Sequence, residues 1–169
     1  VQKYISTLSE DDFTQEILIP LFESMGFERV RYGGGHKEKI LEYGKDIKIL
    51  RLRIPTGNFL YFAAQVKVEK IHTSTKIPSE NIARILNQMR MIFDAPIFDH
   101  DTNSEIYVDH ALLISSGEIT KSARNYLETN LRKEKRRNIL LIDKEDIVRL
   151  VIRYGLPFET QQRIDETIR

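Results

Sequence analysis

Two neighbouring segments rich in β-branched, aromatic and apolar residues constrain the fold of this chain more than any other feature. They span residues 46–54 and 59–68, and residues 55–58 between them form a turn-favouring cluster. The pattern predicts two antiparallel strands joined as a hairpin. With the turn centred in the middle of this cluster, Asp46 lies directly opposite Lys67, and opposed residues point to the same face of a sheet.

The register of this hairpin decides which face each polar residue occupies, because side chains alternate along a strand. In the predicted register Gln65 and Lys67 share one face with Asp46, whereas Val66 shares the other face with Ile47. The second face is apolar and is predicted to be core. A slip of one residue would drive Lys67 into that core, so the apolar pattern favours this register, although a bulge could displace the pair by about one residue.

Helical and strand patterns fill the rest of the chain. Ser9 and Asp12 predict the start of a helix that ends at Gly26, and Pro20 is expected to kink it or loosen a turn. The further predictions are strands at 27–32, 106–115 and 138–142, loops at 33–44, 70–78 and 94–105, and helices that begin at Ser79, Thr120 and Asp143. This order predicts an α/β fold with a mixed central sheet flanked by helices on both faces.

Composition narrows the class of protein. The 169 residues have the length of one domain, and the absence of cysteine excludes a disulfide framework and a thiolate zinc site. No apolar run approaches the roughly 20 residues of a membrane span. We therefore expect a cytoplasmic protein without a membrane partner. The net charge of +1, from 26 basic and 25 acidic residues, offers no global field for a polyanion, so any nucleic-acid surface must be a local patch.

By themselves, Asp46 and Lys67 allow two interpretations. One is a cross-strand salt bridge on a half-exposed sheet face, which contributes little to stability. The other is a site for metal-dependent phosphodiester cleavage, which needs a carboxylate and an ammonium close together.

Several short motifs that include these residues occur in a defined order. They are Gly44-Lys45-Asp46-Ile47, then Gln65-Val66-Lys67 with 19 residues from Asp46 to Gln65, the helix end Met25-Gly26-Phe27, and the distal runs Ile114-Ser115-Ser116-Gly117 and Leu141-Ile142-Asp143. Together they resemble the Mrr-like restriction endonucleases of the PD-(D/E)xK nuclease superfamily, in the branch where glutamine replaces the second acid. Glu42 departs from the aspartate that is frequent at its position.

The resemblance implies a restriction-endonuclease-like three-layer sandwich over residues 1–158, followed at 159–169 by a helix or a linker toward a further domain. It also implies a Mg²⁺-dependent deoxyribonuclease, with Mn²⁺ as a possible substitute metal. Asp46, Gln65, the Val66 carbonyl and Glu16 would bind the metal, and Lys67 would stabilise negative charge on the phosphate. DNA as substrate and a role in bacterial restriction or defence follow from the same likeness, and the sequence leaves open whether two copies pair as a homodimer.

Glu16 is included because a glutamine ligand is weaker than a glutamate, so another acid is needed. It lies three residues after Phe13 and one before Ile17, at the edge of the apolar stripe that must face the sheet. The family places a glutamate on this helix. Gln88, on the helix after the hairpin, is a weaker candidate, with a surface glutamine as the more ordinary interpretation.

Other polar residues flank the predicted site. Lys37, Lys39, Lys70 and Lys76 lie in predicted loops and could contact the DNA backbone, with solvated loop lysines as the alternative. The run Gly33–Gly35 is expected to form a flap near the substrate. The four histidines are too scattered for a ligand set and are predicted to lie on the surface or in loops: His36, His72, His100 and His110. The rival to a nuclease is a catalytically inactive nucleic-acid-binding or protein-interaction module with the same fold.

Overall fold

A computed structural model of the chain describes residues 1–32, 46–73, 82–133 and 138–168. The strands are β1 (Glu28–Tyr32), β2 (Ile47–Arg53), β3 (Phe59–Lys67), β4 (Ile97–Asp99), β5 (Ser104–Ile106), β6 (His110–Ser115) and β7 (Ile139–Ile142). The helices are α1 (Gln2–Ile5), α2 (Glu10–Asp12), a π-helical segment (Phe13–Leu18), α3 (Ile19–Ser24), α4 (Ile82–Asp94), α5 (Lys121–Lys133), α6 (Lys144–Tyr154) and α7 (Phe158–Ile168).

A five-stranded sheet in the order β1-β2-β3-β6-β7 forms the centre of the molecule. The β1–β2 and β2–β3 pairs are antiparallel, whereas β3–β6 and β6–β7 are parallel. Strands β4 and β5 form a separate antiparallel ribbon. The sheet is therefore mixed, as predicted.

Alternate residues of the central strands enter two separate apolar cores. Phe62, Ala64 and Val66 of β3 pack with α1, the helical segment 10–24, α6 and α7. Ala63 of β3 packs on the other face with α4 and α5, together with Leu113 of β6. The predicted α/β fold, with a mixed sheet between two helical layers, is confirmed. No helix among the described residues is long and apolar enough to cross a bilayer.

The β2–β3 hairpin forms where predicted, but the strand pairing at its turn is shifted by one residue. Arg53, not Ile54, pairs with Phe59. The loop consists of residues 55–57 and is closed by a hydrogen bond of 2.9 Å from the Gly57 N–H to the Ile54 carbonyl. Gly57 has a φ of 90°, which a residue without a Cβ adopts readily.

An irregularity in β2 shifts the pairing by a second residue. Leu50 pairs with Phe62, but Ile47 pairs with Ala64. Such a bulge places an extra residue on one strand and reverses the alternation beyond it. Two successive shifts of one residue therefore return Ile47 to the predicted apolar face, where it is fully buried.

The predicted juxtaposition of Asp46 and Lys67 is wrong for the same reason. The Asp46 N–H donates to the Ala64 carbonyl at 2.8 Å, so Asp46 lies beside Gln65, two residues short of Lys67. The alternative of a cross-strand salt bridge between Asp46 and Lys67 is also wrong, because the two residues do not lie opposite each other.

The N-terminal helix begins at the predicted cap, where the Asp12 N–H donates to Ser9 Oγ at 3.1 Å. The π-helical segment ends two residues before Pro20, whose missing N–H cannot complete an ordinary helical turn. The predicted loosening is confirmed. The helix ends before Gly26, which has a φ of 89°.

Three elements differ from the sequence prediction. The short helix α1 was not expected, and the β4–β5 ribbon occupies the segment 94–105 that was predicted to be loop. Strand β6 begins at His110, four residues later than predicted. The C-terminal segment forms α7, whose Ile164 is buried in the same core as Val66.

Candidate active site

The candidate site lies at the carboxyl edge of the parallel part of the sheet. Lys67 at the end of β3 pairs with Ser115 at the end of β6. Ligands of open α/β sheets bind outside the carboxyl ends of such strands. Asp46, directly before β2, reaches this edge because β2 runs antiparallel to β3.

Asp46 is the centre of a small polar cluster. Its Oδ2 accepts a hydrogen bond from the Val66 N–H at 2.6 Å and another from Gln65 Nε2. The same amide nitrogen lies 3.5 Å from the Val66 carbonyl oxygen. Predicted site residues Asp46, Gln65 and Val66 are thus brought together around one amide group.

Gln65 is 2% exposed, and its Oε1 accepts no hydrogen bond from any described residue. Buried polar atoms without partners are uncommon, because each loses its hydration without a replacement. The amide can present either its nitrogen or its oxygen toward Asp46 by rotating about its last side-chain bond. The cluster therefore contains an oxygen atom that can accept a hydrogen bond from a ligand or coordinate a cation.

Lys67 lines a cleft of about 230 Å³ next to this cluster. The walls are residues 67–71, Glu10 at the start of α2, and Arg84 and Gln88 of α4. Gln88 Oε1 is also buried without a partner in the described part of the chain. Within that part, the Lys67 ammonium forms no ion pair, so it is available to an anion in the cleft.

Ser115, Ser116 and Gly117 fix the backbone that follows Lys67. The Ser116 N–H donates to the Lys67 carbonyl at 2.9 Å, and the hydroxyl groups of Ser116 and Ser115 donate to the carbonyls of Val68 and Glu69 at 2.5 and 2.6 Å. A Cβ on Gly117 would lie 2.7 Å from the backbone nitrogen of Lys70. The close approach explains why these small residues follow β6.

Glu16 lies in a different environment from the one expected. It is half-buried and accepts a hydrogen bond from the Tyr4 hydroxyl of α1. That hydrogen bond, with burial and the Glu16 charge, raises the pKa of Tyr4 to about 12. No described contact joins Glu16 to Asp46.

A second tyrosine connects the end of β1 to the N-terminal helix. The Tyr32 hydroxyl at the end of β1 donates to Asp11 Oδ1. Burial raises the pKa of Tyr32, the hydrogen bond to Asp11 raises it further, and the charges of Asp46 and Glu10 act in the same direction. Of these carboxylates, Asp11 is the one that accepts the hydrogen bond of the phenol.

Sequence reasoning missed Glu10 and Tyr32 as neighbours of the site. The signal for Glu10 was its spacing, since it precedes Phe13 by three residues and Ile17 by seven. These are the intervals at which residues share one face of a helix. Phe13 and Ile17 are fully buried against the sheet, which puts Glu10 on the same side.

The remaining predicted site residues are scattered. Lys70 forms a 2.6 Å ion pair with Glu118 at the rim of the cleft, and both side chains are more than half exposed. Outside the described residues lie Lys37, Lys39, Lys76, His36, Gly33–Gly35, Glu42 and Ser79. His110 is half-buried and lies in a strand rather than in a loop: it opens β6 and stacks on Phe62 with ring centroids 4.8 Å apart.

Across the four described ranges, no three histidine, cysteine, aspartate or glutamate side chains are grouped closely enough to hold a metal by themselves. A cation at this edge would need amide or backbone oxygens beside its carboxylates. Such mixed oxygen sets suit Mg²⁺, which also keeps several water ligands.

The chain matches no protein-family model and no curated protein. It is similar to a solved structure of the MspJI restriction endonuclease in complex with a 27-mer oligonucleotide. The similarity has a TM-score of 0.49 and 12% sequence identity, and it covers 95% of this chain and 32% of that one. This chain therefore corresponds to less than half of the length of the MspJI chain.

Proposed function

We propose that this chain is a metal-dependent endonuclease domain that hydrolyses phosphodiester bonds of DNA. One observation carries the proposal: the Asp46 carboxylate, the Gln65 amide and the Val66 backbone meet at one point, and Lys67 opens into the adjoining cleft. The motif resemblance of Asp46 and Gln65-Val66-Lys67 supports the same chemistry and extends the proposal to a restriction or defence role.

The residues present fit a divalent cation. Gln65 Oε1 is buried and has no partner among the described residues, and the amide nitrogen already bridges Asp46 Oδ2 and the Val66 carbonyl. Asp46, the Gln65 amide oxygen and the Val66 carbonyl would hold Mg²⁺ or Mn²⁺. When bound, such an ion would polarise the scissile phosphate and lower the pKa of an attacking water.

The chain's own residues supply positioning and charge. The Val66 N–H holds the Asp46 carboxylate in one orientation, since the hydrogen bond is 2.6 Å long and its donor belongs to a buried strand. Lys67 carries a compact positive charge on a long stem, and it can stabilise negative charge that develops on a phosphate oxygen. The backbone after Lys67 is fixed by Ser115 and Ser116, which limits where the ammonium can reach.

A catalytically inactive module with the same fold is the second candidate. It is favoured because the described part of the chain contains no cluster of three carboxylate, histidine or cysteine groups. Such a module would bind nucleic acid or protein without cleavage, and substitution of Asp46 would leave its binding unchanged.

Cleavage of supercoiled plasmid DNA in the presence of Mg²⁺ or Mn²⁺ tests the proposal. We expect nicking by the wild-type chain, and a loss of at least about 100-fold in rate for both Asp46→Asn and Lys67→Ala, because each removes a group that stabilises the transition state. Chelation of the metal should abolish the wild-type activity.

Lys133→Ala is the matched control for Lys67→Ala. Lys133 is exposed at the end of α5, and α5 connects the parallel strands β6 and β7, so its end lies at the opposite edge of the sheet. Its substitution should leave the nicking rate unchanged. Equal nicking by wild type, Asp46→Asn and Lys67→Ala would contradict the proposal.

A further inference from the structure

We infer that Arg84, Lys121 and Lys144 form a phosphate track along the carboxyl edge of the sheet, which binds the DNA backbone away from the scissile bond. The inference rests on the proposed function and describes how the substrate of that site is held. Two observations carry it. Unpaired cations line two adjoining clefts at this edge, and acidic residues of the second cleft are already paired within the chain.

The first cleft, which contains Lys67, has a further cation on its α4 wall. Arg84 lies near the start of α4 and lines this cleft together with Lys67. Its side chain is exposed and forms no ion pair with any described residue. A guanidinium can donate two hydrogen bonds at once to a phosphate group. The cleft therefore offers a phosphate contact besides Lys67.

A second cleft of about 350 Å³ lies at the same edge, beyond the ends of β6 and β7. Its walls include Lys121 at the start of α5 and Lys144 at the start of α6. Both lysines are exposed, and in the part of the chain that the structure describes neither forms an ion pair. The second cleft thus presents two ammonium groups to an anion.

The two clefts adjoin each other. Lys70 of the first cleft forms its 2.6 Å ion pair with Glu118 of the second. The next residues along the chain, Ile71 and Ile119, form a parallel bridge. One extended ligand can therefore lie over both clefts.

Two acidic residues of the second cleft have partners within the chain. Glu118 is paired with Lys70, and Asp143 accepts a hydrogen bond of 2.6 Å from Arg124. An internally matched carboxylate repels an approaching anion less than an unmatched one, because its partner cancels most of its field. These two carboxylates therefore leave the lysines of the second cleft available.

Unpaired cations are in excess at this edge. Glu69 in the first cleft and Glu145 in the second form no ion pair with a described residue. They are outnumbered by the unpaired cations of the two clefts, which are Lys67, Arg84, Lys121 and Lys144. Because the whole chain has a net charge of +1, this excess is a local patch of the kind that a polyanion needs.

The dimensions of the edge suit a nucleic-acid backbone. Strands β3, β6 and β7 are neighbours in the sheet. Adjacent strands lie about 4.8 Å apart, so roughly 10 Å separate the end of β3 from the end of β7. Phosphates of one DNA strand follow each other at about 3.4 Å of helix axis, so the track spans about three nucleotides.

Binding of a fluorescein-labelled DNA duplex, followed by anisotropy with the metal chelated, tests the inference without cleavage. Each cation that neutralises a phosphate contributes about 0.9 to the slope of log Kobs against the logarithm of the salt concentration. We expect Arg84→Gln, Lys121→Gln and Lys144→Gln each to make the slope shallower by about 1, and the triple variant by about 3. The loss of affinity should be equal for duplexes of unrelated sequence.

Arg153→Gln is the matched control, because it removes the same charge far from the track. Arg153 is exposed on the last turn of α6, which begins at the carboxyl edge after β7 and therefore ends away from that edge. Its substitution should leave the slope at the wild-type value. Circular dichroism of each variant checks that the chain remains folded.

The outcomes separate the inference from the proposed function. If the three variants keep the wild-type slope, or if the wild-type chain does not bind the duplex, the phosphate track is overturned, whereas nicking that Asp46→Asn loses would still support the metal site. An equal change of slope for Arg153→Gln would also overturn the track, since the contacts would then be spread over the surface. If the slopes change as expected but Asp46→Asn nicks as fast as wild type, the track stands and the proposed cleavage site fails.

Discussion

The two ends of the β2–β3 pair carry polar clusters that differ in how their charges are balanced. At the turn end, Arg51 lies 3.5 Å from Asp99 and 3.6 Å from Asp101, and its guanidinium stacks 4.0 Å above the Phe59 ring. Asp99 is 1% exposed and also accepts the Tyr61 hydroxyl at 3.1 Å. The buried charges at this end are matched by groups of opposite charge within the chain.

At the other end of the same strands, two groups lack partners among the described residues. Gln65 Oε1 accepts no hydrogen bond from them, and Lys67 forms no ion pair with them. Buried polar groups are normally satisfied within the protein. Arg51 Nε at the turn end also has no described hydrogen-bond partner, but the Arg51 charge is matched by Asp99 and Asp101, whereas Gln65 Oε1 lies beside an open cleft that an external partner can enter. The Arg51 cluster therefore holds the β4–β5 ribbon against the sheet, whereas Gln65 and Lys67 present groups that a ligand can bind.

The largest effect that tests this comparison is expected at Arg51. Arg51→Met should lower the free energy of unfolding by about 3 kcal/mol, because Asp99 keeps its charge in a buried position and loses its nearest cation. Urea denaturation at pH 7 measures the change. The affinity for Mn²⁺ should be unchanged, since the substituted residue lies at the other end of the strands.

Arg53→Met is the matched control. Arg53 also stacks on Phe59, at 4.3 Å, but its side chain is 55% exposed and its ion-pair partner Glu28 is 40% exposed. Exposed pairs contribute about 0–1 kcal/mol, so a small change is expected. Equal destabilisation by the two substitutions would contradict the view that the Arg51 cluster is a buried lock.

An intermediate effect is expected at Gly117. Its substitution should change both the free energy of unfolding and the position of the backbone that follows Lys67. Gly117→Ala places a methyl group against the backbone of Glu69 and Lys70, at 2.8 and 2.7 Å. We expect a loss of about 1–3 kcal/mol in the free energy of unfolding. The nicking rate should fall at least about tenfold because the backbone after Lys67 must move.

Gly57→Ala is the control that separates a loss of stability from a displacement of the site. A Cβ at Gly57 meets no atom within 4 Å, but the φ of 90° is unfavourable for alanine. This substitution should cost about 1 kcal/mol of stability and leave nicking unchanged. A normal nicking rate for folded Gly117→Ala would show that the segment after Lys67 does not position the site.

The regular part of the fold could be predicted from the sequence. Strands β3, β6 and β7 are apolar runs, and the helices between them have strong apolar stripes, so their type and order follow from periodicity. Strands β3 and β6 are largely buried, whereas β7 lies at the sheet edge, where Leu140 is 49% exposed. The hairpin register could not be predicted from alternation alone, because two irregularities of one residue each add to a shift of two residues, which leaves Ile47 on its predicted face. The adjacent apolar residues Ile49 and Leu50 interrupt the alternation of β2, and this interruption was the available sign of the bulge.

The composition of the candidate site was predictable only where the residues are close in the hairpin. Asp46, Gln65 and Val66 were brought together despite the wrong register, since a shift of two residues keeps Gln65 on the same face. The environment of Glu16 depends on Tyr4, which lies on α1, a helix of four residues that is too short to show a periodic pattern. Contacts between elements distant in sequence were beyond single-sequence reasoning.

The smallest expected effect concerns Asp143, a carboxylate at the same sheet edge as Lys67 whose partners all lie within the chain. It accepts from the N–H groups of Glu145 and Asp146 at 3.0 and 3.2 Å and from Arg124 at 2.6 Å. Burial acts to raise the pKa of Asp143, but the Arg124 guanidinium and the backbone N–H donors outweigh burial, so the net pKa is lowered.

A lowered pKa in the folded state means that Asp143 stabilises the fold above its ordinary value of 3.8, and that this contribution is lost as the pH falls through the folded value. Asp143→Asn keeps the helix cap but removes the charge opposite Arg124, so it should cost about 1 kcal/mol at pH 7 and less at pH 3. Urea unfolding at both pH values measures the difference, with exposed Asp165→Asn as the control. A cost for Asp143→Asn that is the same at pH 7 and pH 3 would show that its charge is not balanced by Arg124, and would contradict the view that Asp143 is matched within the chain.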